Sequence, residues 1–324
     1  MPRQPFQRYK ELHLGQLRTF CECIRQRSYS AAARTLQMSQ PAVWQQVQAL
    51  ERDLGVSLVQ RRGQQLEPSE DGLVLLELAN SIVGSMDTLR ERFDQRRQDV
   101  PRTLTVIGSP GVILEELALP VASFCRQYPR IKLSLLNYVH LSTLDMVIDG
   151  KADMAILPRA LDLGGNQRFL TSEPLAQRTW SLLLPADHPL LRKRRVTPAD
   201  LVRSPLILPE TGSRWRQRVD EVFRAAGLLD RVQVRMEVAI PLAARRYVSL
   251  GVGLAVYPKS PGGLAFPNLE VRSLEDMLGF EEIALFRRRG AALTPQAQLF
   301  AEYTRSQLQE AQDAEQVHRP SKRL

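Results

Sequence analysis

Between Ser28 and Gly55 the apolar residues recur at helical rather than strand spacing. Val43, Val47, Leu50 and Leu54 follow one another at steps of four, three and four, which makes one buried stripe. Gln40, Trp44, Gln45, Gln48 and Arg52 fall on the outer face of the same helix. Just upstream, Ser30 to Leu36 predicts a short helix containing three consecutive alanines, the best helix former. Gln37 and Met38 make the turn between them. Ser39 is placed to cap the second helix, with Pro41 in its first turn, where a missing N–H costs little. A short helix of small residues packed across a longer one with an amide-rich outer face has the geometry of a helix-turn-helix. The second helix of such a unit enters the DNA major groove, where glutamine can read adenine edges with its paired donor and acceptor. The same periodicity also fits an ordinary helical hairpin with a solvated glutamine face.

The flanking patterns extend this unit. Leu12 to Gln26 predicts a first helix with Leu14, Leu17, Phe20 and Ile24 toward the core. SLVQRRGQQLEPS predicts two short strands around Arg62-Gly63, a hairpin wing on which Arg61 or Arg62 would hold a phosphate backbone. Ser69 then caps a long helix, with Glu70 and Asp71 at its positive end. Leu75, Ala79, Ile82, Met86, Leu89 and Phe93 recur by fours and threes, a coiled-coil seam on a rod of roughly 40 Å. Such a stripe following a small domain predicts burial against a second copy.

Beyond a hinge at Val100 to Thr103 the pattern changes to strands alternating with helices. LTVIGS, IKLSLL and DMAIL predict strands separated by helices at Ile113 to Arg126 and Leu141 to Asp149. WSLLLP, PLILP, VQVRMEV and VGLAVYP predict a second set of strands, with helices at Arg214 to Ala226 and Leu242 to Leu250. A strand at 283–287 would return to the first set, and Pro295 to Gln309 would be a last helix. The expectation is an α/β fold with parallel, doubly wound sheets in two lobes, crossed by the chain near 160–167 and 264–270.

Composition narrows the function classes. The 324 residues suffice for about two domains. The net charge of +9 favours a polyanionic partner, nucleic acid foremost. No apolar run is long enough to span a bilayer, and MPRQPFQRYK lacks an apolar signal core, so no membrane partner and a cytoplasmic location are expected. Cys21, Cys23 and Cys125 have neither metal spacing nor disulfide geometry and read as buried small hydrophobes. No nucleophile elbow, phosphate loop, dinucleotide fingerprint or zinc-protease motif occurs, so neither an enzyme nor a cofactor or metal site is expected.

LRTF (Leu17 to Phe20), SYSAAARTL (Ser28 to Leu36), SQPAV (Ser39 to Val43), ALERDLGVSL (Ala49 to Leu58) and Arg61 resemble the N-terminal domain of LysR-type transcriptional regulators. RQYPRIKL, GKADMAIL, ADHPLL and LVRSPLIL are similar to phrases of that family's C-terminal domain, so the resemblance runs over roughly residues 12 to 308. Three positions depart from it. Trp44 stands where the family usually has a small polar residue, Val59 where it has phenylalanine, and Pro68-Ser69 where it has Leu-Thr.

The resemblance implies a winged helix-turn-helix at 12–69, a dimerising linker helix at 70–99 and a two-lobed, periplasmic-binding-protein-like effector domain at 100–310. Lobe I would be 100–163 with 268–310, lobe II 164–267, and the tail 311–324 disordered. It implies double-stranded DNA, a small-molecule effector, a homodimer or homotetramer and, for an activator, RNA polymerase as partners. The DNA-facing candidates are Arg34, Ser39, Gln40, Pro41, Trp44, Gln45, Gln48, Arg61 and Arg62. A cleft of this fold binds ligands where helices begin at the carboxyl ends of strands. The candidates there are Ser109, Pro110 and Gly111 in lobe I, Thr211, Gly212 and Ser213 in lobe II, and Ile240 as a third position. Hydroxyls and amides at helix starts suit a small anion, although serine and threonine cap helices regardless of ligand. Ser109 offers the one hydroxyl of its loop, fewer than regulators of sulfur metabolism have, which points to a less polar effector or none. Two other readings are a DNA-binding regulator that answers to a protein partner and, more remotely, an enzyme fused to a DNA-binding module.

Overall fold

The computed structural model describes residues 12–97, 102–138, 141–160, 163–239, 241–259 and 267–318. Two compact units emerge. One holds the N-terminal hundred residues with 165–171 and 287–294, the other the remainder.

The first unit opens with α1 (Leu14–Gln26), α2 (Tyr29–Leu36) and α3 (Gln40–Leu54). Ser28 and Ser39 cap α2 and α3, accepting from the amides of Ala31 and Ala42 at 3.3 Å each. Gly55 ends α3 in the left-handed region, where glycine pays no Cβ penalty. Cys23, Ala32, Ala33, Val43, Val47 and Leu66 form the shared core. Strands β1 (Val59–Arg62) and β2 (Gln65–Pro68) pair antiparallel as the expected hairpin. Helix α4 (Glu70–Arg97) follows, and Gly72 lets it close on the wing. A Cβ there would lie 2.0 Å from the carbonyl oxygen of Leu58.

In the second unit, β3 (Arg102–Gly108), α5 (Pro110–Glu115), α6 (Ala118–Gln127), β4 (Ile131–Asn137), α7 (Asp145–Ile148) and β5 (Met154–Pro158) build lobe I. Strand β3 pairs parallel with both β4 and β5. The long β6 (Leu170–Pro185) leads into lobe II, made of α8 (Pro198–Leu201), β7 (Leu206–Pro209), α9 (Arg214–Ala225), β8 (Val234–Val238), α10 (Pro241–Ser249), β9 (Leu254–Lys259), β10 (Leu269–Ser273) and α11 (Glu275–Leu278). Strand β11 (Phe280–Arg288) returns to pair antiparallel with β5, and α12 (Pro295–His318) closes the chain.

Four expectations need correction. The sheets are mixed rather than parallel throughout, because the crossing strands run antiparallel to their neighbours, β11 to β5 and β6 to β9. Through β11 and β6 the two lobes share one hydrogen-bonded path, β4-β3-β5-β11-β6-β9-β7-β8. The return crossing lies nearer Phe280 than 264–270, since β10 still pairs with the lobe II end of β6. Residues 311–318 are helical rather than disordered, because α12 runs on through glutamine, glutamate and alanine, all good helix formers. Gln312 there donates to the Gln177 carbonyl at 3.3 Å. Cys125 is exposed, whereas burial pushes the thiols of Cys21 and Cys23 up to about 12.

Lobe I centres on Phe124, set edge-on to Phe300 at 5.1 Å. Lobe II packs Leu182, Leu184, Leu206, Leu208, Val219, Phe223 and Val256 together. Each such side chain contributes roughly 1.5–3 kcal/mol on burial.

Candidate functional site

Three surfaces carry chemistry. On the first, α3 presents Gln40, Pro41, Trp44 and Gln45 to solvent, with Ser39 at its start and Arg34 on α2 exposed beside them. Trp44 is 50% exposed, whereas Val43 next to it is fully buried, so the indole belongs to the outer face. Gln48 is partly buried, and its amide donates to Glu51 Oε2 at 2.5 Å. Glu51 Oε1 accepts from the backbone amides of Leu58 and Val59 at 2.7 and 3.2 Å. That carboxylate therefore ties α3 to the first residues of the wing. Arg61 and Arg62 are exposed on β1. Arg62, itself exposed, lies 3.9 Å from the half-buried Glu67, a long surface pair that contributes little on its own.

The second surface is α4. Leu76, Ala79 and Val83 are buried within the chain, while Val74, Leu78, Ile82, Met86, Leu89 and Phe93 are exposed. The expected seam is thus shifted at its N-terminal end. Ala79 faces inward, Leu75 is intermediate, and Val74 and Leu78 continue the stripe in their place. Six apolar side chains spaced by three and four along one helix remain exposed, Phe93 at 57%.

The third surface joins the two lobes. Ser109 stands at the N-cap of α5, but its hydroxyl makes no capping bond. Its Oγ is buried without a hydrogen-bond partner among the described residues. Gly111 approaches Arg178, since a Cβ there would lie 3.6 Å from Nη1. The lobe II loop is satisfied internally instead. The Thr211 hydroxyl and amide donate to Glu237 at 2.7 and 3.2 Å, and Arg216 donates to Glu237 at 2.6 Å. The Thr211 hydroxyl, then Arg216, hold the Glu237 carboxyl down at about 2. Ser213 caps α9 and donates to the Glu210 carbonyl at 2.7 Å, and Gly212 supplies the positive φ of the turn. Ile240 lies outside the described residues.

What the lobes bring together is a set of charges. Arg178 on β6 donates to Glu281 on β11 at 2.5 Å and sits 3.5 Å from Glu116, just past α5. Arg245 on α10 pairs with Glu115 at the end of α5. The Trp215 indole donates to the other oxygen of Glu281. Guanidinium groups stack over Trp215 and Tyr257, Arg178 at 5.7 Å and Arg245 at 5.1 Å from the ring centres. None of the five charged side chains is more than 5% exposed. Burial alone would lower the Arg178 pKa, but Glu281, Glu116 and Glu115 outweigh it and keep the group a cation. Burial likewise lifts the Tyr257 hydroxyl to about 12, so that ring is neutral. A cavity of about 530 Å3, walled by Trp180, Phe280, Arg159, Arg214 and Arg218 among others, reaches this cluster at Trp215 and Glu281.

Residues 14–73 match the bacterial regulatory helix-turn-helix family of LysR proteins, and residues 97–309 match the LysR substrate binding domain. The chain belongs to the LysR family of transcriptional regulators. This LysR-type regulator is 30% identical over 248 residues to the transcriptional regulator CysB of Burkholderia cenocepacia, covering 76% of this chain and 77% of that one. It is 28% identical over 296 residues to CbbR of Xanthobacter flavus, covering 90% and 86%. Among solved structures, the LysR family regulator CbnR aligns with a TM-score of 0.52 at 23% identity, over 90% of this chain and all of that one. A Corynebacterium glutamicum OxyR aligns with a TM-score of 0.55 at 21% identity, over 97% and 99%. No described helix of the regulator is long and apolar enough to cross a membrane.

Two features of the regulator escaped the sequence. Glu51 looks like one more solvated charge on α3. The inter-lobe charges are single residues set in strands and helices, and no spacing distinguishes Arg178 or Glu281 from the other polar residues of their strands.

Proposed function

We propose that this LysR-type regulator reads a specific DNA site with α3, steadies itself on the phosphate backbone with Arg61 or Arg62, and dimerises through α4. The carrying observation is the outer face of α3, where Gln40, Gln45 and the exposed Trp44 lie together while the apolar stripe is buried. Amides and an indole on one groove-sized helix supply both hydrogen bonds and an apolar contact to base edges. The exposed stripe of α4 supports pairing of two copies, and pairing of dimers would extend this to a tetramer. An effector bound between the lobes would bias their closure and so the spacing of the DNA-binding units. As an activator the regulator would also meet RNA polymerase, and its place is the cytoplasm.

Genome-wide capture of the DNA bound by the full chain tests this reading. The expected outcome is a small set of sites sharing one inverted repeat. Uniform binding that depends only on salt would reject sequence-specific recognition.

A further inference from the structure

Resting on the α3 reading only for which stretch of duplex is the flank, we propose that lobe II carries a second DNA surface. Its centre is the run Arg192 to Arg195 with Arg203, and it holds the phosphate backbone beside the site that α3 reads.

The excess charge of the chain lies mainly away from the reading helix. Residues 1–97 hold 14 basic and 11 acidic side chains. Lobe II, from Ala186 to Gly279, holds 15 basic and 10 acidic ones. Affinity for duplex DNA grows with each phosphate that a cation neutralises, so the more basic of the two regions has the more to offer.

Arg192, Lys193, Arg194 and Arg195 are the densest basic run of lobe II, and all four are exposed. Their loop is held in place. Lys193 donates to Asp200 at 2.5 Å, and Asp200 also accepts from the amide and hydroxyl of Thr197 at 3.0 and 2.9 Å. From β10, Arg272 donates to the carbonyls of Lys193 and Arg194, the latter at 2.8 Å. Beyond α8, the Val202 carbonyl accepts from Gln233 at 3.5 Å, which sets Arg203 beside the stretch carrying Arg231 and Arg235. Lys193 is paired with Asp200, and Arg195 with Asp276 at 3.4 Å. Arg192, Arg194, Arg203, Arg231 and Arg235 are exposed and have no side-chain partner among the described residues. Against these five, the segments 187–203 and 230–235 hold two carboxylates without a partner among the described residues, Asp187 and Asp230.

The chemistry selects a polyanion. A guanidinium presents a planar fork of donors that matches phosphate oxygens, and it stays charged at any working pH. No leucine or valine from Leu190 to Val202 is exposed, so this loop lacks the apolar centre of a protein interface. DNA is the polyanion that a regulator of this family meets.

The test is binding of the full chain, read by anisotropy over a range of salt concentrations, to three duplexes. One is the genome-captured site alone, one is that site extended by about three helical turns on each side, and one is a scrambled duplex of the extended length. Wild type should bind the extended site more tightly than the bare one, with a steeper fall of log affinity against log salt. Arg192→Gln, Arg194→Gln and Arg203→Gln together should reduce that slope on both long duplexes by about two to three, because each phosphate contact contributes about 0.9. The bare site should be bound as before. Three exposed cations removed from lobe I, by Arg126→Gln, Arg130→Gln and Lys151→Gln, should leave every slope as in wild type. Equal binding of bare and extended sites by wild type overturns the second surface. So does an unchanged slope in the lobe II variant, and so does an equal loss in the lobe I variant, which would reduce the effect to net charge. Failure of the α3 reading has a different signature: captured and scrambled long duplexes bind alike, while the lobe II variant still loses slope. Should the triple variant melt below wild type, Arg192→Gln with Arg194→Gln replaces it, and the expected loss of slope is about two.

Discussion

Glu51 accepts the side-chain amide of Gln48 on one oxygen and the backbone amide of Leu58 on the other, at 2.5 and 2.7 Å. One carboxylate thus restrains a residue of the outer face and holds the start of the wing. Replacing Glu51 by Ala leaves the Leu58 and Val59 amides without that acceptor. The expected loss is about 1–3 kcal/mol of unfolding free energy, read from urea titration, together with weaker DNA binding as the wing loosens. Wild-type stability with weakened DNA binding would mean that the contact positions the wing without stabilising the domain.

The tether also separates the glutamines. Gln45 is exposed and Gln48 is not wholly free, so Gln45→Ala should relax the preferred site at one or two base pairs by about 1–3 kcal/mol. Gln48→Ala should cost less. Arg61→Ala should weaken all sequences alike and reduce the slope of log affinity against log salt by about one. Binding-site selection with each variant, followed by titration at several salt concentrations, separates the three outcomes.

On α4 the two sides of the helix predict opposite failures. Ile82→Asp with Met86→Asp puts carboxylates on the exposed stripe, so each copy should fold while the proposed dimer dissociates and specific DNA binding is lost. Ala79→Asp instead buries a charge within the chain and should lower the melting temperature of the copy itself. Sedimentation and thermal unfolding read the two effects separately. An undisturbed dimer in the Ile82/Met86 variant would remove α4 as the main contact.

The ambiguity of that seam lies in the sequence itself. From Leu73 to Ala79 the chain reads LVLLELA, apolar on two adjacent faces, so steps of three and four fit either face. Only packing chooses between Leu78 and Ala79. The helix-turn-helix was legible because its signals are local: Ser39, Pro41 and Gly55 mark the ends of α3, and the valines mark its inside. The inter-lobe cluster was not. Arg178 and Glu281 are 103 residues apart, Arg245 and Glu115 130 residues apart, and no periodicity announces a pair made by chain crossing.

A pH dependence follows from Glu237. Its carboxyl is held at about 2 against an ordinary 4.5, first by the Thr211 hydroxyl. A depressed carboxylate contributes stability that is fully present above the unfolded value and lost as pH falls toward the folded one. The difference in melting temperature between wild type and Thr211→Ala should therefore be constant from pH 7 to about 5.5 and shrink between about 4.5 and 2. A difference that grew on acidification would put the opposite sign on the interaction.

Trp44 carries the last prediction, because a large apolar side chain stands half exposed on the outer face of α3. It follows Val43 by one residue, about 100° around the helix, and the two side chains have opposite surroundings. Val43 contributes to the core, and Trp44 lies half exposed one turn before Gln48. A tryptophan left in water at that place keeps a large apolar face beside the exposed amides of Gln40 and Gln45. The indole has one donor and no acceptor, so it suits a thymine methyl or the sugar wall better than a patterned hydrogen-bond edge. Trp44→Ser should leave the melting temperature within about 4 °C, since surface changes of this kind fall within about 0.5 kcal/mol. Affinity for the native site should fall and the preferred base near that position should shift. Trp44→Phe should restore much of the affinity, because it keeps the apolar face and drops only the N–H. A Trp44→Ser protein that melts well below wild type would place the ring in the core after all. One that folds, binds and selects sites as wild type does would show the ring to be a bystander, leaving base readout to Gln40 and Gln45.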